Sequence, residues 1–283
     1  MSTLWEPEGT LFCNDNLERL AQLPSDSVDL IYLDPPFFSN RVYEVIWGDE
    51  AEVRSFEDRW EGGIQHYIGW MRERVIEMHR LLKPTGSLYL HCDPHASHYI
   101  KVMLDGIFTA SMFRSEIIWK RTTAHSDSKQ GRRLPGSIHD VIFFYTKSRN
   151  WIWNPIFVDY DETYTASHYR FIENGTGRRY RKADLTAAKP GGDTSYEWRG
   201  VKPYRGRYWA YTRENMERFE AEGRISYTRR GMPELKLYLD EMPGVALQDV
   251  WTDIDAINAR AAERLGYPTQ KPEALLERII MAS

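Results

Sequence analysis

Three stretches of this 283-residue chain predict an α/β fold built on a central sheet. Val28 to Leu33 is an apolar, β-prone run of the kind found in a strand covered on both faces, and it stops at Asp34-Pro35-Pro36. Ile64, Tyr67, Ile68, Met71, Val75, Met78, Leu81 and Leu82 then recur at three- and four-residue steps, the spacing of one helix face. Ser87 to Cys92 is a second strand of the buried kind. Strand, helix and strand in that order make the crossover unit of a parallel sheet.

Composition sets the outer limits. A hydrophobic content of 42% and a charged content of 28% are those of a globular protein, and the length allows one large domain carrying an insertion or two modest domains. No apolar run reaches the length of a membrane span, and Met1 to Glu8 lacks the features of a signal peptide. Cys13 and Cys92 are the only cysteines, so the expectation is a reducing, cytoplasmic setting without a disulfide framework. A net charge of −4 argues against nucleic-acid binding over the whole surface and leaves room for a local basic patch.

Taken in order, Thr10 to Cys13 reads as a short strand running into Asn14-Asp15-Asn16, a polar turn whose simplest role is a helix cap. Leu17, Leu20 and Leu23 mark a brief helix closed by Pro24. The proline pair after Asp34 removes two backbone donors and keeps the chain extended, which holds a carboxylate at the carboxyl end of a strand, where open α/β sheets bind ligands. From Phe38 to Trp60 there is no clean periodicity, and a loop is expected, either mobile beside a site or plain surface. Lys83-Pro84-Thr85-Gly86 ends the long helix. His91, Cys92, Asp93, His95 and His98 form a cluster of potential ligands. We read it instead as an N-cap and first turn, because Asp93-Pro94 suits the start of the helix through Tyr99, Val102, Met103 and Ile107, and no metal site is assigned. Phe113 to Trp119 and Asp140 to Tyr145 are further strands, with the polar loop Lys129 to Arg133 between them.

Character changes near Trp151. From Thr165 to Arg213 there are eleven Lys and Arg against four Asp and Glu, interleaved with nine Tyr, Trp and Phe and with helix-breaking glycines. Such a stretch is a β- and loop-rich insertion. Basic residues among aromatics suit phosphate contact and base stacking, and suit equally a solvated surface. Three regions are therefore expected, 1–150, 151–245 and 246–283. In the last, Asp249-Val250-Trp251 and Tyr267-Pro268-Thr269-Gln270-Lys271-Pro272-Glu273 precede a helix marked by Leu275, Leu276, Ile279 and Ile280.

Asp34-Pro35-Pro36-Phe37 resembles the catalytic motif of the amino-group DNA methyltransferases, and the segment Tyr267 to Glu273 resembles the one that precedes their cofactor-binding strand. The order, with the catalytic motif first and the cofactor motif last, is that of the permuted β class. The resemblance covers nearly the whole chain. It implies an S-adenosylmethionine-dependent, Rossmann-like α/β fold with 1–150 as the catalytic half, 151–245 as an inserted target-recognition region and 246–283 as the start of the cofactor-binding half. It implies Asp34, Pro35, Pro36 and Phe37 as catalytic residues. Cofactor contacts would come from Asp15, Asn16, Asp34, Thr269, Gln270 and Lys271. DNA contacts would come from Arg170, Arg178, Arg179, Arg181, Lys182, Arg199, Lys202, Arg205 and Arg207. The implied reaction is methyl transfer to the N6 amino group of a flipped adenine in double-stranded DNA. The alternatives are cytosine N4 and a DNA-binding or specificity subunit without activity of its own. A homodimer and a restriction endonuclease subunit are the partners such a protein would have. The family's Phe-x-Gly-x-Gly loop has no counterpart here, so the resemblance also implies a longer natural protein, or another chain covering the Val28–Leu33 strand.

Overall fold

The structure is a computed structural model describing residues 9–38, 42–47, 52–57, 62–122, 135–258, 260–266 and 269–283. It divides into two compact units, residues 1–156 with 248–283, and residues 157–247.

The first unit begins with helix α1 (Asn16–Gln22), capped by the Asp15 carboxylate, which accepts from the Leu17 amide at 2.8 Å. Strand β1 (Val28–Leu33) follows. The expected loop after Phe38 contains instead an antiparallel hairpin, β2 (Val42–Trp47) and β3 (Glu52–Glu57). Alternating Val, Ile and Phe with charged residues suits a two-stranded ribbon, a period of two that a helical scan passes over. Helix α2 (Gly63–Leu81) buries Tyr67, Met71, Val75, Met78 and Leu81 along one stripe, as its spacing predicts. It passes directly into β4 (Leu82–Cys92), whose second half, Ser87–Cys92, is fully buried. Asp93 then turns the chain, with its carboxylate on the Ala96 amide at 3.4 Å, and α3 (Ser97–Phe108) starts three residues later than the Asp93-Pro94 pair suggests. Strands β5 (Phe113–Lys120) and β6 (His139–Thr146) close this half. The polar loop Lys129 to Arg133 lies outside the described residues.

In the second unit, β7 (Phe157–Val158) and α4 (Glu162–His168) lead to β8 (Phe171–Ile172), β9 (Arg179–Asp184), β10 (Thr186–Ala187) and β11 (Tyr208–Trp209). Helix α5 (Arg213–Ala221), β12 (Ile225–Tyr227), β13 (Pro233–Tyr238) and β14 (Val245–Ala246) complete it. Its main sheet is antiparallel in the order β12-β13-β9-β8. Leu185, Trp198, Trp209, Met216 and Leu235 form a small core. The pairing of β14 with β7 depends on Gly244, where φ is +103° and a Cβ would lie 2.3 Å from the Val158 carbonyl oxygen.

The chain returns to the first unit with β15 (Val250–Trp251) and α6 (Glu273–Ala282). The central sheet has the order β1-β4-β6-β5-β15. β1 lies parallel to β4, as the crossover through α2 requires, and β15 parallel to β5. β6, however, is antiparallel to both β4 and β5, so the sheet is mixed rather than parallel throughout. Gly86 lets β1 come close, since a Cβ there would meet the Asp29 carbonyl at 3.0 Å, beside the register shift between Val28 and Leu30. α2 and α3 cover the core of Leu88, Leu90, Ile100, Leu104, Val141, Phe143 and Tyr145.

β1 is less buried than its apolar composition predicts, because β4 flanks it on one side and no described strand flanks it on the other. Thr10 to Cys13 forms no strand. A strand needs a neighbour for its backbone groups, and here Leu11 is 96% exposed with none alongside among the described residues. Among the described residues, no helix is long and apolar enough to cross a membrane.

Candidate active site

The end of β1 brings together the two motifs that stand furthest apart in the chain. Asp34 leaves the strand with its side chain 28% exposed, and Lys271 Nζ meets its Oδ2 at 2.7 Å. The same ammonium donates to the Thr269 carbonyl at 3.0 Å and stands 5.1 Å from the centroid of the Phe37 ring. Lys271, expected on the cofactor, is thus placed on the carboxylate of the Asp-Pro-Pro-Phe motif. The motif itself is held from below, where the Tyr67 hydroxyl, fully buried on α2, donates to the Pro36 carbonyl at 3.1 Å. With two prolines fixing φ and one carbonyl pinned, the Asp34 and Phe37 side chains are displayed on stiff backbone.

Behind Asp34 lies a buried polar chain. His91, on β4, is completely buried, and its Nδ1 lies 2.7 Å from the Tyr32 hydroxyl and 4.0 Å from Asp34 Oδ1. Its Nε2 is 3.3 Å from Asp140 Oδ2, and Arg121 Nε donates to Asp140 Oδ1 at 2.8 Å. Burial pushes the Asp140 carboxyl upward, but His91 and Arg121 outweigh it and hold the group below its usual range. Burial, reinforced by the charges of Asp34 and Asp140, drives the Tyr32 hydroxyl far above the ordinary tyrosine range, so it keeps its proton. The His91 ring is wedged between Phe37, at 5.5 Å between centroids, and Trp119, edge-on at 5.6 Å. Trp119 is fixed in turn by donating to the Ile254 carbonyl at 2.8 Å. On sequence, His91 stood out only as a possible ligand. The β1 register pairs Tyr32 with Tyr89 and Leu33 with Leu90, so His91 follows one step on, at the level of Asp34, a signal available once that register is known.

Asp15 and Asn16 form a separate cluster. Arg74, on the buried face of α2, donates to both Asp15 oxygens at 2.8 and 3.0 Å and to Asn16 Oδ1 at 2.9 Å. Its guanidinium lies 4.1 Å over the Trp70 ring and also reaches the Trp70 carbonyl. Its side chain is 6% exposed, whereas that of Asp15 is 53% exposed and keeps a face toward solvent. Sequence reasoning passed over Arg74, although an arginine in register with Tyr67, Met71, Val75 and Met78 is a buried charge that needs a partner. In the last motif, Gln270 turns its amide onto its own loop. Nε2 donates to the Glu263 carbonyl at 2.7 Å, and Oε1 accepts from the Leu265 amide at 2.8 Å. Tyr267 and Pro268 lie outside the described residues.

Five of the nine basic residues expected to contact DNA are already paired with acids. Arg178 binds Asp240 and Glu241, each at 2.7 Å, and its pKa is raised by those hydrogen bonds. Lys182 reaches Glu234 at 3.0 Å, Arg207 reaches Asp184 at 3.1 Å, and Arg199 is hydrogen-bonded to Glu220. Lys202 stands 4.0 Å from Glu197. Arg170 lies over Phe171 and Arg181 over Tyr169, with Arg181 Nε buried and without a hydrogen-bond partner. Among the described residues, Arg179 and Arg205 are exposed and make no ion pair.

A family model described as a DNA methylase matches residues 28–283. The chain is 28% identical over 262 residues to the Type II methyltransferase M.EcaI of Enterobacter cloacae, covering 90% of this chain and 54% of that protein. It is 24% identical over 300 residues to the Type III restriction-modification enzyme StyLTI Mod subunit of Salmonella typhimurium, covering 94% of this chain and 45% of that protein. It is 26% identical over 274 residues to the DNA adenine methyltransferase YhdJ of Escherichia coli, covering 97% and 67%. The chain therefore spans about half the length of the first two relatives.

Proposed function

This chain belongs to the DNA methylase family, and we propose that it transfers a methyl group from S-adenosylmethionine to the N6 amino group of adenine in double-stranded DNA. The observation that carries the reading is the convergence of Asp34, Phe37 and Lys271 at the end of β1, from motifs at opposite ends of the chain. Asp34 begins the motif where cytosine-modifying relatives more often carry serine. The names of the relatives, one of them an adenine methyltransferase, support the same choice.

An exocyclic amino nitrogen is a weak nucleophile because its lone pair is shared with the ring. Asp34 Oδ1, with Oδ2 already on Lys271, accepts one amino hydrogen, and the Pro35 carbonyl accepts the other. Together they favour the pyramidal nitrogen and stabilise the positive charge that grows on it. The carboxylate then receives the proton released from that nitrogen. Phe37 stacks on a base turned out of the duplex. S-adenosylmethionine supplies an electrophilic methyl on a sulfonium. The donor set suits it: Thr269 and Lys271 would hold the methionine end, and Asp15 and Asn16, made rigid by Arg74, the adenosine end. Gln270 shapes the loop that carries them.

Residues 157–247 act in this reading as the target-recognition region, and a restriction-system partner fits the relative named as a Mod subunit. A cytoplasmic location follows from a chromosomal substrate. Expression of the full reading frame in a host without DNA methylation, followed by methylation sequencing, tests the proposal. The expected result is 6-methyladenine within one recurring sequence. Methylcytosine in its place overturns the base assignment, and unmodified DNA overturns the activity.

A further inference from the structure

The buried chain behind Asp34 has a polarity, and that polarity bears on the reaction. Asp140 can only accept hydrogen bonds, and its Oδ1 is already taken by Arg121 Nε. His91 Nε2, 3.3 Å from Oδ2, is therefore the protonated nitrogen of the neutral ring, leaving a lone pair on Nδ1. The Tyr32 hydroxyl, 2.7 Å away, donates to that lone pair. Nδ1 is also the nitrogen that faces Asp34 Oδ1, at 4.0 Å. In this tautomer it has no proton to offer the carboxylate. In the opposite tautomer an Nδ1–H would point into the space between the two and compete for the oxygen that Lys271 leaves open.

We propose that His91 is a positioning residue for Asp34, locked by Asp140 and Arg121 in the tautomer that keeps Oδ1 available to the substrate amino group. The proposal rests on the reading of Asp34 as the methyl-transfer carboxylate. The ring also forms the wall against which Phe37 packs, so one buried side chain sets both groups that face the base. Asp140 and Arg121 act only through it. Complete burial suits the task, because no water reaches the ring to exchange its proton or stabilise the other tautomer.

The tautomer is read without any turnover from nitrogen NMR of histidine-labelled wild-type full-length protein. The expected spectrum shows His91 Nε2 protonated and Nδ1 bare, and a protonated Nδ1 in the resting protein overturns the proposal. The kinetic arm uses Asp140→Asn. Arg121 retains the amide oxygen, so the amide NH2 faces Nε2, and the ring must turn its proton to Nδ1. The expected outcome is a kcat lower by about tenfold or more with KM for DNA and cofactor unchanged, and substantial recovery in Asp140→Glu. A purely structural role would lower the melting temperature and leave kcat of the folded fraction alone. That result, or kcat within about twofold of wild type, overturns the proposal. Should Asp140→Asn fail to fold, the nitrogen spectrum of the wild-type protein decides alone, since it needs no variant. A wild-type protein with the expected tautomer and no methyl transfer sinks the functional reading, and with it the role of His91 but not its tautomer, which separates the two failures.

Discussion

The two units use the same kind of bond for opposite ends. In the first, charged groups are gathered beneath a strand end and graded in exposure, from His91 and Asp140 in the interior through Lys271 to Asp34 at the opening. In the second, Arg178, Lys182, Arg199 and Arg207 are matched with acids on neighbouring strands, a turn and helix α5, at sites that solvent reaches. Exposed pairs of this kind add little stability each. They hold a unit together whose core is small. The contrast teaches that a cation's usefulness for phosphate contact depends on what it already holds. Counting basic residues along the sequence overstates the free positive charge.

The sharpest test of the first half of that contrast is Asp34→Ala in the full-length protein. Methyl transfer should fall by more than about a hundredfold while DNA affinity stays near wild type, because the carboxylate acts on the transition state. Retention of a tenth of the rate would remove Asp34 from the chemistry. Next comes Asp15→Ala, which strands the buried Arg74 guanidinium. A loss of about 2 kcal/mol in urea unfolding is expected, between the values for exposed and buried pairs because Asp15 is half exposed. An unchanged midpoint would show that Trp70 and Asn16 suffice for Arg74.

The second half is tested by comparing cations within one unit. Arg179→Ala and Arg205→Ala should each flatten the salt dependence of DNA binding by about one unit of slope, the signature of one lost phosphate contact. Arg178→Ala and Lys182→Ala should leave that slope alone and lower the melting temperature slightly. Equal slopes for all four variants would erase the distinction between held and free charge. The smallest effect concerns Glu173, whose carboxyl is drawn down to about 2 by hydrogen bonds from Tyr238, Lys236 and Thr176. Since the folded value lies below the ordinary one of about 4.3, the stabilisation is complete above that range and lost as pH falls through it toward about 2. Melting curves of wild type and Glu173→Gln should differ near neutrality and converge in acid. A constant gap would assign the effect to packing.

Elements with their own periodicity were legible without coordinates. α2 announces itself by its stripe, and β1, β4, β5 and β6 by apolar runs bounded by turns. Strand direction was not, because nothing in an apolar run says whether its neighbour runs with it or against it, and β6 turned out antiparallel on both sides. Thr10 to Cys13 failed as a strand because strand formation is a property of a pair. Asp34 was legible from its prolines, but its contact with Lys271 was not, and neither was the partner of Arg178, whose acids lie beyond five intervening strands and a helix. Side-chain chemistry can be read locally, whereas its partners are settled by topology.

The ion pair between Asp34 and Lys271 joins residues 237 positions apart in the chain. During synthesis, at about 5–20 residues per second, the carboxylate waits roughly 10–50 s for its lysine to be made. All of residues 157–247 emerge in that interval. β15, which completes one edge of the central sheet, comes after them. Closing so long a loop is slow, and the reward comes only when the segment carrying Lys271 has docked. The Asp34–Lys271 pair is thus a late contact, and a nascent chain carries every part of the Asp-Pro-Pro-Phe motif before that contact can form.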